Sequence, residues 1–231
     1  MPRPYSQRAR AESMARTRER IVDAARELAP LAGDLSVDAV AAEAGVSVQT
    51  LYTHFGSKRG LLMAVIDSTQ RDVGLYADFD RVWSSRDGET ALRRMLEATF
   101  RLWAGAWTLV SFSERVRRTD EELERYMREV DGYRLANLRS ITDRLELEGR
   151  LRPAFDAASA ADLTFAMSMP SVYQQLVLVQ AWALERASNT VVDAVIRSIV
   201  DAAAAVPDEP ADWSAVDRPT EAEGLGVRNP A

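Results

Sequence analysis

Apolar residues recur every three or four positions along most of this chain, which is the period of an α-helix with one buried face. Neither a β-hairpin signal nor a run of alternating apolar and polar residues stands out. The pattern predicts an all-α fold, in which an N-terminal domain of three short helices is followed by a larger helical domain. Seven longer helices are expected after the short ones, over residues 57–73, 88–105, 107–118, 120–149, 157–168, 171–186 and 189–206.

Serine and glycine residues mark the ends of the short helices. Ser36 is expected to cap the second helix and Ser47 the third, because a serine oxygen accepts a hydrogen bond from a free N–H group of the first turn. Gly45 lies between them, where a tight turn requires a left-handed backbone that glycine adopts without a Cβ penalty. The first helix is expected to end near Ala32 and Gly33. The result is a helix-turn-helix arrangement.

The two ends of the chain differ in composition from the middle. Residues 1–14 are rich in arginine and predict a basic flexible arm. Residues 207–231 hold four of the nine prolines and few large apolar groups, which predicts a disordered tail because such a segment buries too little surface to offset its ordering entropy. Between them, residues 15–60 are assigned to the helix-turn-helix domain and residues 61–206 to the larger domain.

Composition narrows the classes of function. The chain has no cysteine and a single histidine, His54, which excludes disulfides and Cys-ligated metals and disfavours His-cluster metal sites and catalytic triads. The net charge is −6, yet residues 1–60 carry net +2 and residues 61–231 net −8. A basic head on an acidic body fits a protein that touches phosphates at one end only. The N-terminus has no apolar targeting segment, and the expected location is the cytoplasm.

One segment is long enough to raise the question of a membrane span. Residues 163–184 form a run of 22 residues without a charge. The run contains Pro170 and the amides of Gln174, Gln175 and Gln180, which lipid would leave without hydrogen-bond partners. We therefore expect a segment buried by protein, and no membrane partner.

The residues around the glycine turn are specific. They read Ala44-Gly45-Val46-Ser47, then Thr50-Leu51-Tyr52-Thr53-His54-Phe55, then Ser57-Lys58 and Leu61-Leu62. This run closely resembles the signature of TetR-family transcriptional regulators, and the likeness covers residues 16–65. Residues 148–153 also resemble the family's link between its long central helix and its dimerisation helices. Gly60 and Val48 depart from the family's usual residues, which leaves the DNA target open but not the class of protein.

The resemblance implies a homodimeric, sequence-specific regulator that binds double-stranded DNA at a near-palindromic operator. It further implies a repressor released from the operator by a small-molecule ligand, expected here to be apolar or amphipathic. Two alternatives stay open: the same DNA-binding dimer without a small-molecule inducer, and an all-helical ligand carrier or enzyme. No cofactor, metal or catalytic residue is expected.

The third short helix is the expected recognition helix. Short polar side chains near its N-terminus reach base edges in the major groove, and an apolar one can touch a thymine methyl group. Side chains at its far end and at the start of the next helix are expected to hold phosphates. The candidate DNA-binding residues are Ser36, Ser47, Val48, Gln49, Thr50, Tyr52, His54 and Lys58. The alternatives are that Tyr52 is a packed aromatic, His54 a half-buried imidazole and Lys58 an ordinary helix-start cation.

The larger domain is rich in aromatic and methionine side chains, which suit an adaptable apolar cavity. The alternative is an ordinary filled core. Arg134 interrupts the apolar stripe of a long helix, so it is expected to pair with a local carboxylate or to meet an anionic or carbonyl-bearing ligand. The candidate ligand-binding residues are Phe100, Trp103, Trp107, Met127, Arg134, Met167 and Tyr173.

The dimer interface is expected within residues 157–206. Its last helix is apolar on about half its circumference, and two such helices from each subunit would make an isologous four-helix contact. The residues of that stripe are Val191, Val192, Val195, Ile196, Ile199 and Val200.

Overall fold

The structure, a computed structural model, describes residues 4–28, 36–206, 208–209 and 212–216. Over these residues it contains helices, one isolated bridge between Leu151 and Val200, and no strand, which confirms the predicted all-α fold. The helices are α1 Pro4–Leu28, α2 Val37–Glu43, α3 Val48–Phe55, α4 Lys58–Asp72, α5 Leu75–Trp83, α6 Gly88–Val116, α7 Glu121–Leu147, α8 Ala157–Met167, α9 Pro170–Tyr173 and α10 Leu184–Ile199, with a π-helical turn at Gln174–Val179 and a 3-10 turn at Trp213–Ala215.

The chain divides into two compact units that are discontinuous in sequence. The first comprises Met1–Thr69 and Thr108–Met127, and the second Gln70–Trp107 and Arg128–Ala231. The long helices α6 and α7 each contribute to both units, which a linear division of the sequence cannot represent. The assignment of residues 15–60 and 61–206 to separate functions therefore stays a prediction.

The predicted helix-turn-helix is confirmed in its local detail. The Ser36 hydroxyl accepts a hydrogen bond from the Ala39 N–H at 3.3 Å, and the Ser47 hydroxyl accepts one from the Thr50 N–H at 3.1 Å. Gly45 has φ +63°, the left-handed conformation expected of it. The apolar core of this region is built from fully buried side chains, among them Ile21, Val40 and Leu51. The predicted end of the first helix near Ala32 and Gly33 lies outside the described residues.

The N-terminal arm differs from its prediction. Residues 1–14 are expected to be flexible, but α1 begins at Pro4 and runs without a break to Leu28. Alanine, arginine, glutamate and methionine are all good helix formers, and the segment propagates a helix whose C-terminal part is anchored by the buried Ile21 and Ala25. The side chains of Ala9–Arg16 remain exposed.

The C-terminal tail also differs from its prediction where it is described. Trp213 is 7% exposed, its ring lies 5.3 Å from that of Trp83 in an edge-to-face arrangement, and its indole N–H donates to the Ser85 carbonyl at 3.1 Å. These contacts dock the turn at Trp213–Ala215 onto the rest of the second unit. Disorder is wrong for this short segment, and the remainder of the tail stays a prediction.

Gly105 lies within a single helix, although two helices are predicted to meet near it. A Cβ at Gly105 would lie 2.5 Å from Cγ1 of Val73, so the glycine allows two segments to approach closely and does not end a helix. Helix α5, which follows Gly74 at φ +76°, was not predicted from the sequence. Its buried Leu75, Phe79 and Val82 have helical spacing, so the signal is present but short.

The uncharged segment is more broken than predicted, and the expectation that protein buries it is wrong for Gln174–Val179, which has no buried residue. Pro170 stands in the first turn of α9, as expected of a residue that stops the preceding helix. The chain then passes through the π-helical turn, and Ala181 takes φ +54° before α10 begins. In the described part of the chain, no helix is long and apolar enough to cross a membrane.

The apolar stripe of α10 is buried within the core of the single chain. Val195 is 1% exposed and Ile199 is 0% exposed within the single chain, and Val191, Val192 and Ile196 are also buried. The prediction that this stripe faces a partner subunit is therefore wrong, because the protomer's own core covers it. Large apolar side chains that do reach the surface in this region are Leu178 and Val179.

Candidate nucleic-acid interface

The first turn of α3 carries the candidate base-reading residues. Gln49 is exposed, while Val48 and Thr50 are half-buried. The hydroxyls of Ser47 and Thr50 lie 2.8 Å apart and share a hydrogen bond, and the Ser47 hydroxyl also caps the helix. Gln49 is consequently the most accessible side chain of this turn for a base edge.

The second turn of α3 separates an anchor from an exposed aromatic. Leu51 is fully buried, and Tyr52 beside it is 40% exposed. The alternative that Tyr52 is a packed core aromatic is therefore disfavoured. His54 is half-buried with its ring centroid 6.2 Å from that of Phe55, and the guanidinium of Arg18 lies 5.2 Å from the Phe55 centroid.

Lys58, at the start of α4, already has a partner that the sequence does not reveal. Its Nζ donates to Oδ2 of Asp120 at 3.1 Å, and the two side chains are 30% and 26% exposed. Oδ1 of Asp120 accepts hydrogen bonds from the Glu122 and Leu123 N–H groups, which caps the start of α7. The bond from Leu123, together with Lys58, holds the pKa of Asp120 below its ordinary value.

A small cleft and the glycine at position 60 lie close to Lys58. A cleft of about 20 Å³, room for about one water molecule, is lined by residues that include Lys58, Arg59, Phe112 and Tyr126. At Gly60, the departure from the family pattern, a Cβ would meet the carbonyl oxygen of Phe55. The glycine thus permits the close approach of α4 to the end of α3.

Helix α1 carries a second basic surface along its exposed side. Arg10, Arg16, Arg18 and Arg20 are exposed along it, against Glu12 and Glu19. Sequence reasoning located this positive charge but not the helix that arrays it. Exposed positive charge therefore extends beyond the helix-turn-helix itself.

The candidate ligand residues of the second unit lie together but largely buried. Phe100, Trp103 and Tyr173 are 1%, 6% and 4% exposed. The Tyr173 ring lies 5.2 Å from that of Trp107 and 6.3 Å from that of Phe100, and burial raises the pKa of the Tyr173 hydroxyl. Met127 belongs to the first compact unit.

Arg134 stacks within the same cluster. Its guanidinium carbon lies 4.8 Å from the Trp103 ring centroid and 4.9 Å from that of Phe165. It also donates to Oδ1 of Asp131 at 3.4 Å and to the Ser168 carbonyl at 3.3 Å, a carbonyl that also accepts from the Trp103 indole at 3.0 Å. The predicted local carboxylate partner is therefore present.

Met167 contributes to a different feature, an open apolar groove of about 370 Å³ in the second unit. The groove is lined by Met167, Ser171, Val172, Gln175, Leu176, Trp182, Thr190, Val191 and Ala194. Within the described residues, no group of three or more His, Asp or Glu side chains could hold a metal ion.

Residues 21–65 match the family model of bacterial regulatory proteins of the tetR family. The matched range contains α2, the Gly45 turn, α3 and Lys58. The chain carries a tetR-family N-terminal domain. The resemblance seen in the sequence is thereby confirmed for this domain.

Solved structures share the fold beyond the tetR-family domain. FadR from Bacillus subtilis in complex with stearoyl-CoA is 23% identical, with 77% of this chain and 97% of that chain covered at a TM-score of 0.63. The fatty acid degradation regulator FadR from Bacillus halodurans is 20% identical, with 77% and 97% covered at 0.64. SmeT in complex with triclosan is 20% identical, with 85% and 97% covered at 0.65; SmeT is the repressor of the Stenotrophomonas maltophilia efflux pump SmeDEF. No curated protein sequence matches the chain.

Proposed function

We propose that this chain is a homodimeric transcriptional regulator that binds a near-palindromic double-stranded operator through α3 and is released from it by a small apolar or amphipathic ligand. The observation that carries the proposal is the capped helix-turn-helix of the tetR-family domain, which presents Gln49 and Tyr52 on an exposed face. A recognition helix of this kind enters the major groove with its first turn toward the bases.

The candidate side chains divide into readers, which contact base edges, and grips, which contact phosphates. Gln49 is the principal reader, since an amide side chain pairs with adenine through two hydrogen bonds, and Val48 and Thr50 contribute apolar and hydroxyl contacts. Tyr52, His54 and Lys58 hold phosphates, which positions the head without conveying sequence. Ser36 and Ser47 are caps first, and any phosphate or base contact that they make is additional.

The ligand part of the proposal rests on chemistry in the second unit and on similar folds. The aromatic cluster around Trp103, Trp107 and Tyr173, with the cation of Arg134 at its edge, suits an amphipathic molecule with an anionic or carbonyl group. FadR and SmeT, which share the fold, have been seen with stearoyl-CoA and triclosan. SmeT is a repressor, and we propose repression for this chain as well.

The proposal of a homodimer rests on apolar surface that a single chain leaves exposed. Leu178 and Val179 are 47% and 60% exposed, and the apolar groove lies in the same segment of the chain. A second copy of this chain is the occupant that a palindromic site requires, because each half-site needs its own recognition helix. Val179→Glu should produce monomers in sedimentation, whereas Gln180→Glu at the exposed neighbouring position should not. Dimers of both variants would remove this surface from the interface.

Operator binding is tested with the DNA upstream of the protein's own gene, by fluorescence anisotropy at two salt concentrations. Gln49→Ala should change the preferred base and discriminate less by about 1–3 kcal/mol. Glu43→Ala, an exposed change at the end of α2, is the matched control and should leave base preference unaltered. The proposal is wrong if the wild-type protein binds this DNA and a scrambled duplex equally at both salt concentrations.

One observation favours the alternative of a DNA-binding dimer without a small-molecule inducer. The candidate ligand residues Phe100, Trp103 and Tyr173 pack against one another or against backbone, as a filled core would. Addition of stearoyl-CoA or triclosan to the operator complex distinguishes the two forms. Release of the DNA by either compound, suppressed in Trp107→Ala, supports the inducible form.

A further inference from the structure

The ammonium group of Lys58, which the proposed function assigns to an operator phosphate, already binds the carboxylate of Asp120 in the first unit. Lys58 Nζ and Asp120 Oδ2 are 3.1 Å apart, although the two residues are 62 positions apart in sequence. About a quarter to a third of each side chain is exposed, so the pair is open to a competing anion.

We propose that Asp120 competes with the operator phosphate for Lys58, and that the ion pair holds the DNA-free state in which one phosphate grip of each half-site is occupied. This inference rests on the proposed function, since it requires Lys58 to bind phosphate. Asp120 thereby lowers operator affinity by an amount built into the fold.

The two oxygens of Asp120 have separate tasks, which makes the exchange feasible. Oδ2 receives Lys58, whereas Oδ1 receives the N–H groups of Glu122 and Leu123. Lys58 can therefore leave Oδ2 for a phosphate while Oδ1 continues to cap α7. Breaking the ion pair does not require the helix to unravel.

The alternative role for Asp120 is to orient Lys58 toward the DNA. An ammonium group has three donors, so a lysine bound to one carboxylate retains donors for a phosphate. Orientation and competition predict opposite signs: removal of the carboxylate weakens DNA binding in the first case and strengthens it in the second. The negative charge of Asp120 also repels an approaching phosphate, which adds to competition.

Asp120→Asn is the decisive variant, because asparagine keeps a capping oxygen and loses the charge. Asp120→Ser is the second variant, since serine also caps a helix and is neutral. Glu121→Gln is the matched control: it removes one negative charge from the exposed neighbouring position. Each full-length protein is titrated with the operator by fluorescence anisotropy at several salt concentrations, and its thermal unfolding is recorded to verify the fold.

If Asp120 competes, Asp120→Asn and Asp120→Ser should bind the operator roughly two- to fivefold more tightly per half-site, the range expected when a partly exposed ion pair is removed. Glu121→Gln should change affinity less than either. In a Lys58→Ala background, Asp120→Asn should give no more than the Glu121→Gln effect. Equal or weaker binding by folded Asp120→Asn and Asp120→Ser overturns the inference.

Failure of the underlying assignment has a different signature. If Lys58→Ala alone leaves operator affinity and its salt dependence unchanged, Lys58 does not bind phosphate, and the proposed grip fails together with the competition. If Lys58→Ala weakens binding while Asp120→Asn does not strengthen it, the grip stands and only the competition is overturned.

Discussion

Removal of the Trp213 side chain should destabilise the protein, although it lies in a proline-rich tail whose composition predicts disorder. The indole is 7% exposed, lies edge to face on Trp83 and donates a hydrogen bond to the Ser85 carbonyl. A buried Trp→Ala change costs about 3–5 kcal/mol. The segment around Trp213 is short and can undock while the rest of the chain stays folded. The loss in the free energy of unfolding therefore cannot exceed the free energy with which this segment docks, and we expect about 3 kcal/mol.

The contributions at Trp213 can be separated with a second variant. Trp213→Phe keeps an aromatic ring for Trp83 but loses the N–H donor and the packing of the second ring, so it should cost more than the about 1 kcal/mol of the hydrogen bond and less than Trp213→Ala. Glu209→Ala, an exposed change in the same tail, is the control and should stay within about 0.5 kcal/mol of the wild type.

The assay is urea unfolding followed by circular dichroism, at one protein concentration for all variants because the stability of the proposed dimer would depend on concentration. The reasoning about the tail is refuted if Trp213→Ala unfolds at the same urea concentration as Glu209→Ala. In that case the tail is undocked in solution.

Three further predictions concern the head of the molecule. Ser47→Ala should lower the free energy of unfolding by about 0.5–2 kcal/mol through loss of the α3 cap, and it should weaken operator binding, as measured by denaturation and anisotropy; unaltered values for both would contradict the capping role. Deletion of residues 1–14 removes net positive charge, so it should weaken binding to all DNA sequences alike and reduce the slope of affinity against salt; a change of base preference would instead assign the arm a reading role. Because folding lowers the pKa of Asp120 below 3.8, its ionised form stabilises the fold above that pH and loses this contribution as the pH falls through the folded value. Asp120→Asn should therefore lose less stability than the wild type in unfolding measured from neutral pH to about pH 3, and parallel curves would contradict this.

Local sequence was sufficient to predict the structure of the helix-turn-helix. The caps at Ser36 and Ser47 and the left-handed Gly45 were predicted and are found, because each depends on hydrogen bonds and backbone angles within a few residues. The all-α fold was also predicted, because apolar side chains recur along the chain with the period of an α-helix. The family signature adds the assignment to DNA binding, since its motifs lie within the same short stretch.

What the tertiary structure decided is which distant groups meet. The partner of Lys58 is 62 residues away and the acceptor for Trp213 is 128 residues away, and no local pattern identifies either. The apolar stripe that ends in Ile199 has the same appearance in sequence whether it faces a partner subunit or the protomer's own core. Amphipathic spacing states that a helix buries one face, but the identity of the covering surface depends on how all the helices pack, because burial is non-directional and any apolar surface satisfies it.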